Sequence, residues 1–313
     1  MIKIIVKSSM RLNIQNIQIN ERINMTIKYD ANVKAFFDPT TYTVTYIVAD
    51  TTTGQCAIID SVLDYDPDSG RTNTNSADQV ISYIKENKFT CQWILETHVH
   101  ADHLTAAPYI KEKIGGTIAI GNQVPVVQST FGPVFNAGTE FTKDGKQFDH
   151  LFTDQEKFKI GSIEGEVLHT PGHTPACITY YVDGACYIGD TMFMPDFGTA
   201  RCDFPGGDAA ELYDSIQRIL SLPDDTILYM CHDYGPGGRD YKWVTSVLEQ
   251  KENNIHLVGK GRDQYIDART TRDAELSMPK LILPSVQVNM RAGHFPPADK
   301  NGVTYLKTPL NAL

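Results

Sequence analysis

The stretch Thr97-His98-Val99-His100-Ala101-Asp102-His103 places three imidazoles and one carboxylate within six positions. It directly follows residues 92–95, a short apolar run that is typical of a buried strand. Clustered imidazoles cannot all be protonated at close range, and burying them without partners costs free energy. A divalent cation removes both difficulties. The stretch therefore predicts a metal site at the end of a strand.

Three more candidate ligands lie further along the chain, each just past a predicted strand. They are His173 in Thr170-Pro171-Gly172-His173-Thr174, Asp190 in Gly189-Asp190-Thr191, and His232 in Cys231-His232-Asp233-Tyr234. Layered α/β proteins place their active sites at the carboxyl ends of strands, so these side chains are expected to converge. Imidazole and carboxylate are the ligands of Zn²⁺ and of non-haem iron, and residue types alone leave that choice open.

The pattern around these motifs is that of a layered α/β protein. Strands are predicted at residues 42–48, 56–59, 92–95, 117–120, 166–168, 176–182, 185–188 and 226–230. Thr53-Gly54 and Asp183-Gly184 predict hairpins between neighbouring strands. Helices are predicted to begin at a capping box formed by Ser76 and Gln79, and to span residues 104–114 and 209–222. Residues 131–154 are expected to form a loop.

Composition excludes several classes of protein. The chain has 313 residues, with 28 Lys and Arg against 38 Asp and Glu, a net charge of −10. Such a chain repels the phosphate backbone, so nucleic acid is not an expected partner. No run of about 18 apolar residues exists, so no membrane association is expected. The six cysteines are scattered without a Cys-x-x-Cys pair, which is typical of reduced thiols in a cytoplasmic protein.

From residue 41 to residue 254 the chain resembles the metallo-β-lactamase superfamily, whose fold is an αββα sandwich. Ala101 in the first motif, Thr170–Cys177, Gly189–Thr191, Arg201–Phe204 and Cys231–Tyr234 are similar to persulfide dioxygenases, in particular to their bacterial β-lactamase-like hydrolase branch. The resemblance implies an α/β (α+β) catalytic domain at residues 25–260. Residues 1–24 are then an Ile- and Asn-rich extension of uncertain order, with Met25 as an alternative start. Residues 261–313 are expected to pack on the domain.

The same resemblance implies one Fe(II) per chain. His98, His173 and Asp190 would bind it as a two-histidine, one-carboxylate set. The remaining ligand-type residues would either orient these groups or bind a second metal; they are His100, Asp102, His103 and His232. The alternative is two Zn²⁺ per chain and hydrolysis of a thioester or lactone, as in glyoxalase II.

The implied reaction oxidises glutathione persulfide, or a similar small persulfide, with O₂ to sulfite and thiol, in sulfide detoxification. The residues expected to take part in catalysis are Asp102, Arg201, Asp203 and Tyr234, and Asp203 would either fix Arg201 or bind a substrate ammonium group. The substrate is expected to contact Arg201, Cys202, Tyr234 and Lys251, and Lys251 stands where better-known relatives carry arginine. A homodimer is a possible assembly. Since no second α/β pattern follows residue 260, any sulfurtransferase partner is expected to be a separate protein.

Other reactive side chains are expected to be structural. Cys177, Cys186 and Cys231 sit in or beside predicted strands and are expected in the core. His150, His256 and His294 have no candidate partner by spacing and are expected at the surface.

Overall fold

The computed structural model describes residues 30–312, and the predicted extension at residues 1–24 lies outside them. Two six-stranded sheets form the centre of the molecule. In spatial order, the first contains β1 (Ala31–Asp38), β2 (Thr43–Asp50), β3 (Gln55–Ile59), β6 (Thr90–Leu95), β8 (Thr117–Gly121) and β9 (His150–Phe152). The second contains β10 (Lys157–Ile160), β11 (Ile163–His169), β12 (Ile178–Val182), β13 (Ala185–Tyr187), β14 (Ile227–Tyr229) and β15 (Val244–Ser246). A small third sheet contains β5 (Arg71–Asn73), β4 (Val62–Asp66) and β7 (Leu104–Thr105).

The two large sheets pack face to face. Strand β2 shows how the sequence produces this arrangement, because every one of its side chains is buried. Val44, Tyr46 and Val48 point into the core between the sheets, whereas Ile47 and Ala49 point to the outer face. This alternation is the two-residue period of a strand that is covered on both sides.

Helices cover both outer faces. The helices α1 (Asn75–Glu86), α2 (Ala107–Ile114), α3 (Val124–Val134) and α7 (Ile282–Asn289) share one core with the first sheet. The helices α4 (Ala209–Leu220), α5 (Val247–Asn253) and α6 (Arg262–Asp273) share another with the second sheet. The layers are therefore helix, sheet, sheet, helix, which confirms the αββα sandwich. None of the helices in the described part of the chain is long and apolar enough to span a bilayer.

Both predicted hairpins are present. Strands β2 and β3 pair antiparallel across Thr53-Gly54, and β12 pairs with β13 across Asp183-Gly184. Asp183 and Gly184 both have positive φ, of 50° and 76°, as the tight two-residue turn between twisted strands requires.

The capping box predicted at Ser76 and Gln79 is wrong. Helix α1 is preceded by Thr74, which makes no side-chain cap. The Ser76 hydroxyl instead donates to Asp64 Oδ1 at 2.6 Å, and the Ser76 amide donates to Asp64 Oδ2 at 3.0 Å. A carboxylate from the neighbouring strand β4 therefore takes the place of a local cap, which the sequence around the helix does not indicate.

Two further predicted boundaries need correction. The helix predicted from residue 104 begins only at Ala107, because Leu104 and Thr105 pair with strand β4 as β7. The loop predicted for residues 131–154 contains the end of α3 and strand β9, which pairs with β8. In both places the decisive contacts come from residues distant in sequence.

The C-terminal residues are divided between the two halves of the sandwich. Helix α6 packs on the second half through Tyr265, and α7 returns to the first half. Ile282, Val286 and Val288 of this region are almost fully buried in the core of the first half. Residues after 260 therefore build part of that core as well as surface.

Candidate metal centre

Segments that leave the carboxyl ends of five strands meet at one edge of the sandwich. Strand β3 is followed by Asp60, and β6 by the run from Glu96 to His103. From the second sheet, β11 is followed by His173, β13 by Asp190 and β14 by His232. The structure thus brings all seven predicted metal ligands together.

His98, His173 and Asp190 form a first ligand group. One ligand atom of each lies within 4.8 Å of the other two, and all three side chains are buried. Asp190 Oδ2 lies 3.9 Å from His98 Nε2 and 3.7 Å from His173 Nε2. These separations are too long for hydrogen bonds.

Neighbouring groups fix which nitrogen of each imidazole faces this group. The Thr97 hydroxyl donates its only proton to Asp60 Oδ2 at 2.9 Å, so its oxygen accepts from His98 Nδ1 at 3.0 Å. His173 Nδ1 donates to the Arg201 carbonyl at 2.8 Å. Each Nε2 then carries a lone pair that points at Asp190, as metal-binding histidines require.

Several buried ligand atoms at this edge have no hydrogen-bond partner among the described residues. They are His98 Nε2, His100 Nδ1, His103 Nε2, Asp190 Oδ1 and His232 Nε2. Leaving such atoms unpaired costs roughly 1–3 kcal/mol each. Burial, together with the neighbouring imidazoles, holds the pKa of His98 well below its usual value, so its ring is neutral and able to bind a cation. The donor set fits a divalent transition metal, as the sequence predicts.

His100, Asp102, His103 and His232 form a second ligand group, again within 4.8 Å. Here two members touch directly: His232 Nε2 lies 3.0 Å from Asp102 Oδ2. The same nitrogen is 3.3 Å from Asp190 Oδ1 and so connects the two groups. Burial alone would raise the pKa of Asp102, but His232 and His103 outweigh it and hold the pKa well below its usual range.

Two buried carboxyl groups below His100 are functional residues that the motif analysis missed. His100 Nε2 lies 3.0 Å from Asp60 Oδ1 and 3.4 Å from Glu96 Oε2. Burial by itself lowers the pKa of His100, but these carboxyl groups reverse the effect and raise it well above its usual value. A sequence signal existed, because Asp60 and Glu96 each follow a predicted apolar strand at this edge.

Asn289, at the end of α7, is a third residue that the motif analysis did not indicate. Its amide nitrogen donates to the carbonyls of His100 at 2.9 Å and His103 at 2.7 Å. Its oxygen accepts from the Thr105 amide at 2.9 Å. The C-terminal region therefore fixes the backbone of the histidine motif, and no local pattern predicts this contact.

Of the predicted catalytic and substrate residues, Arg201 and Asp203 form a two-pronged ion pair with N–O distances of 2.6 and 2.5 Å. The structure thus matches the first alternative for Asp203, that it fixes Arg201. Tyr234 stacks against His232 with ring centres 5.9 Å apart. Burial, together with Asp102 and Asp190, raises the pKa of the Tyr234 hydroxyl well above its usual value, so it remains a proton donor.

Two of the residues predicted to contact the substrate, Cys202 and Lys251, have surroundings that do not favour this role. Burial raises the pKa of Cys202, which keeps its thiol protonated. Lys251 pairs with Asp224 at 2.7 Å. Asp224 precedes strand β14, whereas His232 follows it, so Lys251 lies at the opposite end of that strand from the centre.

The predictions for the structural side chains are mostly confirmed. Cys177, Cys186 and Cys231 are buried in the core, and all six cysteines are free thiols. His294 is exposed, as predicted. The surface assignments of His150 and His256 are wrong, because both are half-buried: His150 Nε2 lies 2.7 Å from Glu156 Oε1, and His256 Nδ1 accepts a 2.9 Å hydrogen bond from the Thr199 amide.

The family model described as the metallo-β-lactamase superfamily matches residues 38–232, more than half of the chain. The chain belongs to the metallo-β-lactamase superfamily. The fold and the two ligand groups described above are consistent with this membership, which also establishes the protein as a metal-dependent enzyme of that superfamily.

Individual relatives differ in the activity that their names state. The chain is 54% identical to a probable metallo-hydrolase of Burkholderia pseudomallei, over 90% of this chain and 99% of that protein. It is 50% identical to a beta-lactamase hydrolase-like protein of Agrobacterium fabrum, but spans only 65% of that protein's length. The human mitochondrial persulfide dioxygenase ETHE1 is 24% identical over 83% of this chain and 88% of its own. The crystal structure of ETHE1 from Myxococcus xanthus shares 30% identity, covers 84% of this chain and 100% of its own, and superposes with a TM-score of 0.67.

Proposed function

We propose that this enzyme is a non-haem Fe(II) persulfide dioxygenase that oxidises glutathione persulfide, or a similar small persulfide. One persulfide, one O₂ and one water give one thiol, one sulfite and two protons. The observation that carries the proposal is the donor set of the first ligand group. His98, His173 and Asp190 bring two imidazoles and one carboxylate together with no hydrogen bond among them, which is the two-histidine, one-carboxylate set of non-haem iron oxygenases.

The distances are compatible with one ion in the first group. Two ligands that each lie about 2.1 Å from one ion are roughly 3.0–3.4 Å apart. The 3.7 and 3.9 Å separations in the first group exceed that range slightly, so a small movement of these side chains toward one ion would bring their ligand atoms into range. Asp102 Oδ2 and His232 Nε2 of the second group, 3.0 Å apart, already lie at ligand spacing. The choice of one ion in the first group therefore rests on its two-histidine, one-carboxylate donor set.

Fe(II) bound there would supply redox chemistry with O₂ and open coordination positions beside the three protein ligands. The chain's own residues orient those ligands. Thr97 fixes the His98 ring and the Arg201 carbonyl fixes the His173 ring. His232 Nε2 lies 3.3 Å from Asp190 Oδ1, on the side of the carboxylate away from the two imidazoles that Oδ2 faces.

The residue at position 101, next to the first group, supports the persulfide assignment over a thioester one. Ala101 is the position where the thioester hydrolases that the chain resembles usually carry a bulkier residue. It lines a pocket of about 10 Å³ together with His173 and Phe204. Tyr234, on the His232 side, offers a protonated hydroxyl to the polar part of the substrate.

The test is anaerobic purification, metal quantification, and O₂ consumption with glutathione persulfide as substrate. We expect one iron per chain and one sulfite for each O₂ consumed. His98→Ala is expected to lose both iron and O₂ uptake, whereas His294→Ala, which changes an exposed histidine, keeps both. Sulfite formation without stoichiometric O₂ uptake, or full activity in His98→Ala, would refute the proposal.

A zinc-dependent hydrolase is the second candidate. The observation in its favour is that the second group offers four more ligand atoms within 4.8 Å, enough for a second ion. The close relative from Burkholderia pseudomallei is also named as a metallo-hydrolase. Two zinc ions per chain with thioester or lactone hydrolysis, and no O₂ consumption, would establish this function instead.

A further inference from the structure

A small basic cavity lies on helix α6, within the second half of the sandwich. Its volume is about 30 Å³, and its lining residues are His256, Lys260, Tyr265, Ala268, Arg269 and Arg272. Three of the six are cations, and none of these six described residues is acidic. Two of these cations have a carboxylate partner outside the lining, Asp273 for Arg269 and Glu275 for Arg272, so the lining itself is rich in N–H donors rather than in unpaired charge.

Arg269 is the buried cation of this cavity. It is only 6% exposed. Its two terminal nitrogens donate to the Thr199 carbonyl at 3.1 Å and to Asp273 Oδ1 at 2.5 Å. The third nitrogen, Nε, is buried and has no acceptor anywhere in residues 30–312. A buried guanidinium N–H without an acceptor is costly, so this atom indicates a missing acceptor.

His256 supplies another donor. Its Nδ1 accepts the Thr199 amide at 2.9 Å, so the proton of the neutral ring is on Nε2. Burial, with Arg269, Lys260 and Arg272, lowers the pKa of His256 to about 4. The positive charges of all three cations therefore lower the pKa of the same imidazole, which agrees with their lining one small cavity together with His256.

We propose that this cavity binds a small inorganic oxyanion of the phosphate, sulfate or sulfite class. Such an ion presents chiefly acceptor oxygens, which matches a lining of guanidinium, ammonium and imidazole N–H groups. On this volume scale one water needs roughly 10–15 Å³, so the cavity accommodates a small ion but not a nucleotide or a peptide.

The cavity is connected to the metal centre by a short segment of backbone. His256 holds the amide of Thr199, and Arg269 holds its carbonyl. Two residues later, the Arg201 carbonyl accepts the hydrogen bond from His173. An oxyanion that pairs with Arg269 and His256 therefore braces the segment that orients a metal ligand.

Titration calorimetry of the metal-loaded enzyme with sulfate, phosphate and sulfite, at constant ionic strength in chloride, tests the proposal. We expect saturable binding of one oxyanion per chain and a higher thermal unfolding midpoint. The double variant Lys260→Gln, Arg272→Gln is expected to bind at least tenfold more weakly. The control Arg262→Gln, Lys280→Gln removes the same charge outside the cavity and is expected to stay within twofold.

Equal losses in both double variants would mean that net charge alone attracts the anion, and would overturn the proposal. Binding that survives in Lys260→Gln, Arg272→Gln but disappears when the metal is removed belongs to the metal centre, and also overturns it. Arg269→Lys keeps the charge but lacks the Nε donor, and its tenfold loss would support the site. A preference for sulfite over sulfate would identify the reaction product as the ligand. Only this comparison of sulfite with sulfate rests on the proposed function; the binding of an oxyanion does not.

Discussion

Replacing Asn289 by alanine tests whether the C-terminal region fixes the histidine motif. The substitution leaves three buried backbone groups without partners: the Thr105 amide and the carbonyls of His100 and His103. At roughly 1–3 kcal/mol for each unsatisfied group, with partial relaxation, the expected loss is about 3–6 kcal/mol of unfolding free energy. That is a large part of the roughly 5–15 kcal/mol available to a typical protein.

Urea unfolding followed by tryptophan fluorescence and circular dichroism measures this loss, and metal analysis after gel filtration measures iron retention. The control is Asn301→Ala, which removes an exposed asparagine from the same C-terminal region and is expected to cost less than about 0.5 kcal/mol. Asn289→Ala should also retain less iron, because the backbone that positions His98 and its neighbours loses its anchor. A loss below about 1 kcal/mol with full iron occupancy would refute the reasoning.

Four further predictions follow from named contacts. Thr97→Val should weaken metal binding about 10–100-fold in a chelator competition, since His98 loses its orienting acceptor. The control Thr226→Val changes a buried threonine just before β14, at the opposite end of that strand from the centre, and should leave the affinity unchanged; equal affinities in the two variants would contradict this. His256 has a folded pKa of about 4 and an unfolded pKa near 6.5, so between these values only the unfolded state binds the proton. Stability should fall by about 2 kcal/mol as pH drops through that window, and His256→Asn should remove this slope in urea titrations. Lys251→Ala should leave the KM for persulfide within twofold, because Lys251 pairs with a carboxylate at the far end of β14; a tenfold rise would return it to the site. Binding of a second Zn²⁺ at His100 should release one proton, because the raised pKa of His100 lets a proton compete with the ion, and the affinity should therefore increase with pH. Calorimetry in buffers of different ionisation enthalpy measures the proton release, and its absence would contradict this competition.

The layers of the fold were predictable because buried strands have apolar residues at consecutive or alternate positions, a pattern that is visible in the local sequence. The strand at residues 42–48 and the Asp183-Gly184 turn are visible in sequence, and the structure confirms both, as β2 and as the hairpin between β12 and β13. Leu104 and Thr105 were not predictable as a strand. Their apolar spacing fits a helix, and only pairing with β4, some 40 residues earlier, makes them β7. The hydrophobic period and the turn residues of a segment are local properties of the sequence, whereas the pairing of a short strand such as β7 depends on tertiary contacts.

At the centre, ligand-type residues were identifiable, but the residues that hold them mostly were not. Histidine and aspartate after apolar strands carry their own signal, and the structure places all seven together. Asn289 contacts only backbone groups, the carbonyls of His100 and His103 and the amide of Thr105, so no side-chain partner in the sequence indicates its role. For Lys251 the sequence suggested a role at the centre that the structure does not support. Its position matches a substrate-contact position of related sequences, but that match does not show which carboxylate the long side chain pairs with, and here it pairs with Asp224.

How many ions this centre holds depends on residues that touch neither ion directly. A second ion in the His100 group must use His100 Nδ1, the free nitrogen of that ring. Asp60 and Glu96 contact the other nitrogen and raise the pKa of His100, so a proton competes with the ion for Nδ1. A proton on Nδ1 has no acceptor among the described residues, whereas a bound ion would satisfy that atom; the competition is therefore close and depends on pH. In the first group no such proton competes, since the pKa of His98 is lowered. The two buried carboxyl groups thus favour a first ion at His98 and His173 and make the second conditional, which is the arrangement that a single-iron oxygenase requires and a two-zinc hydrolase does not.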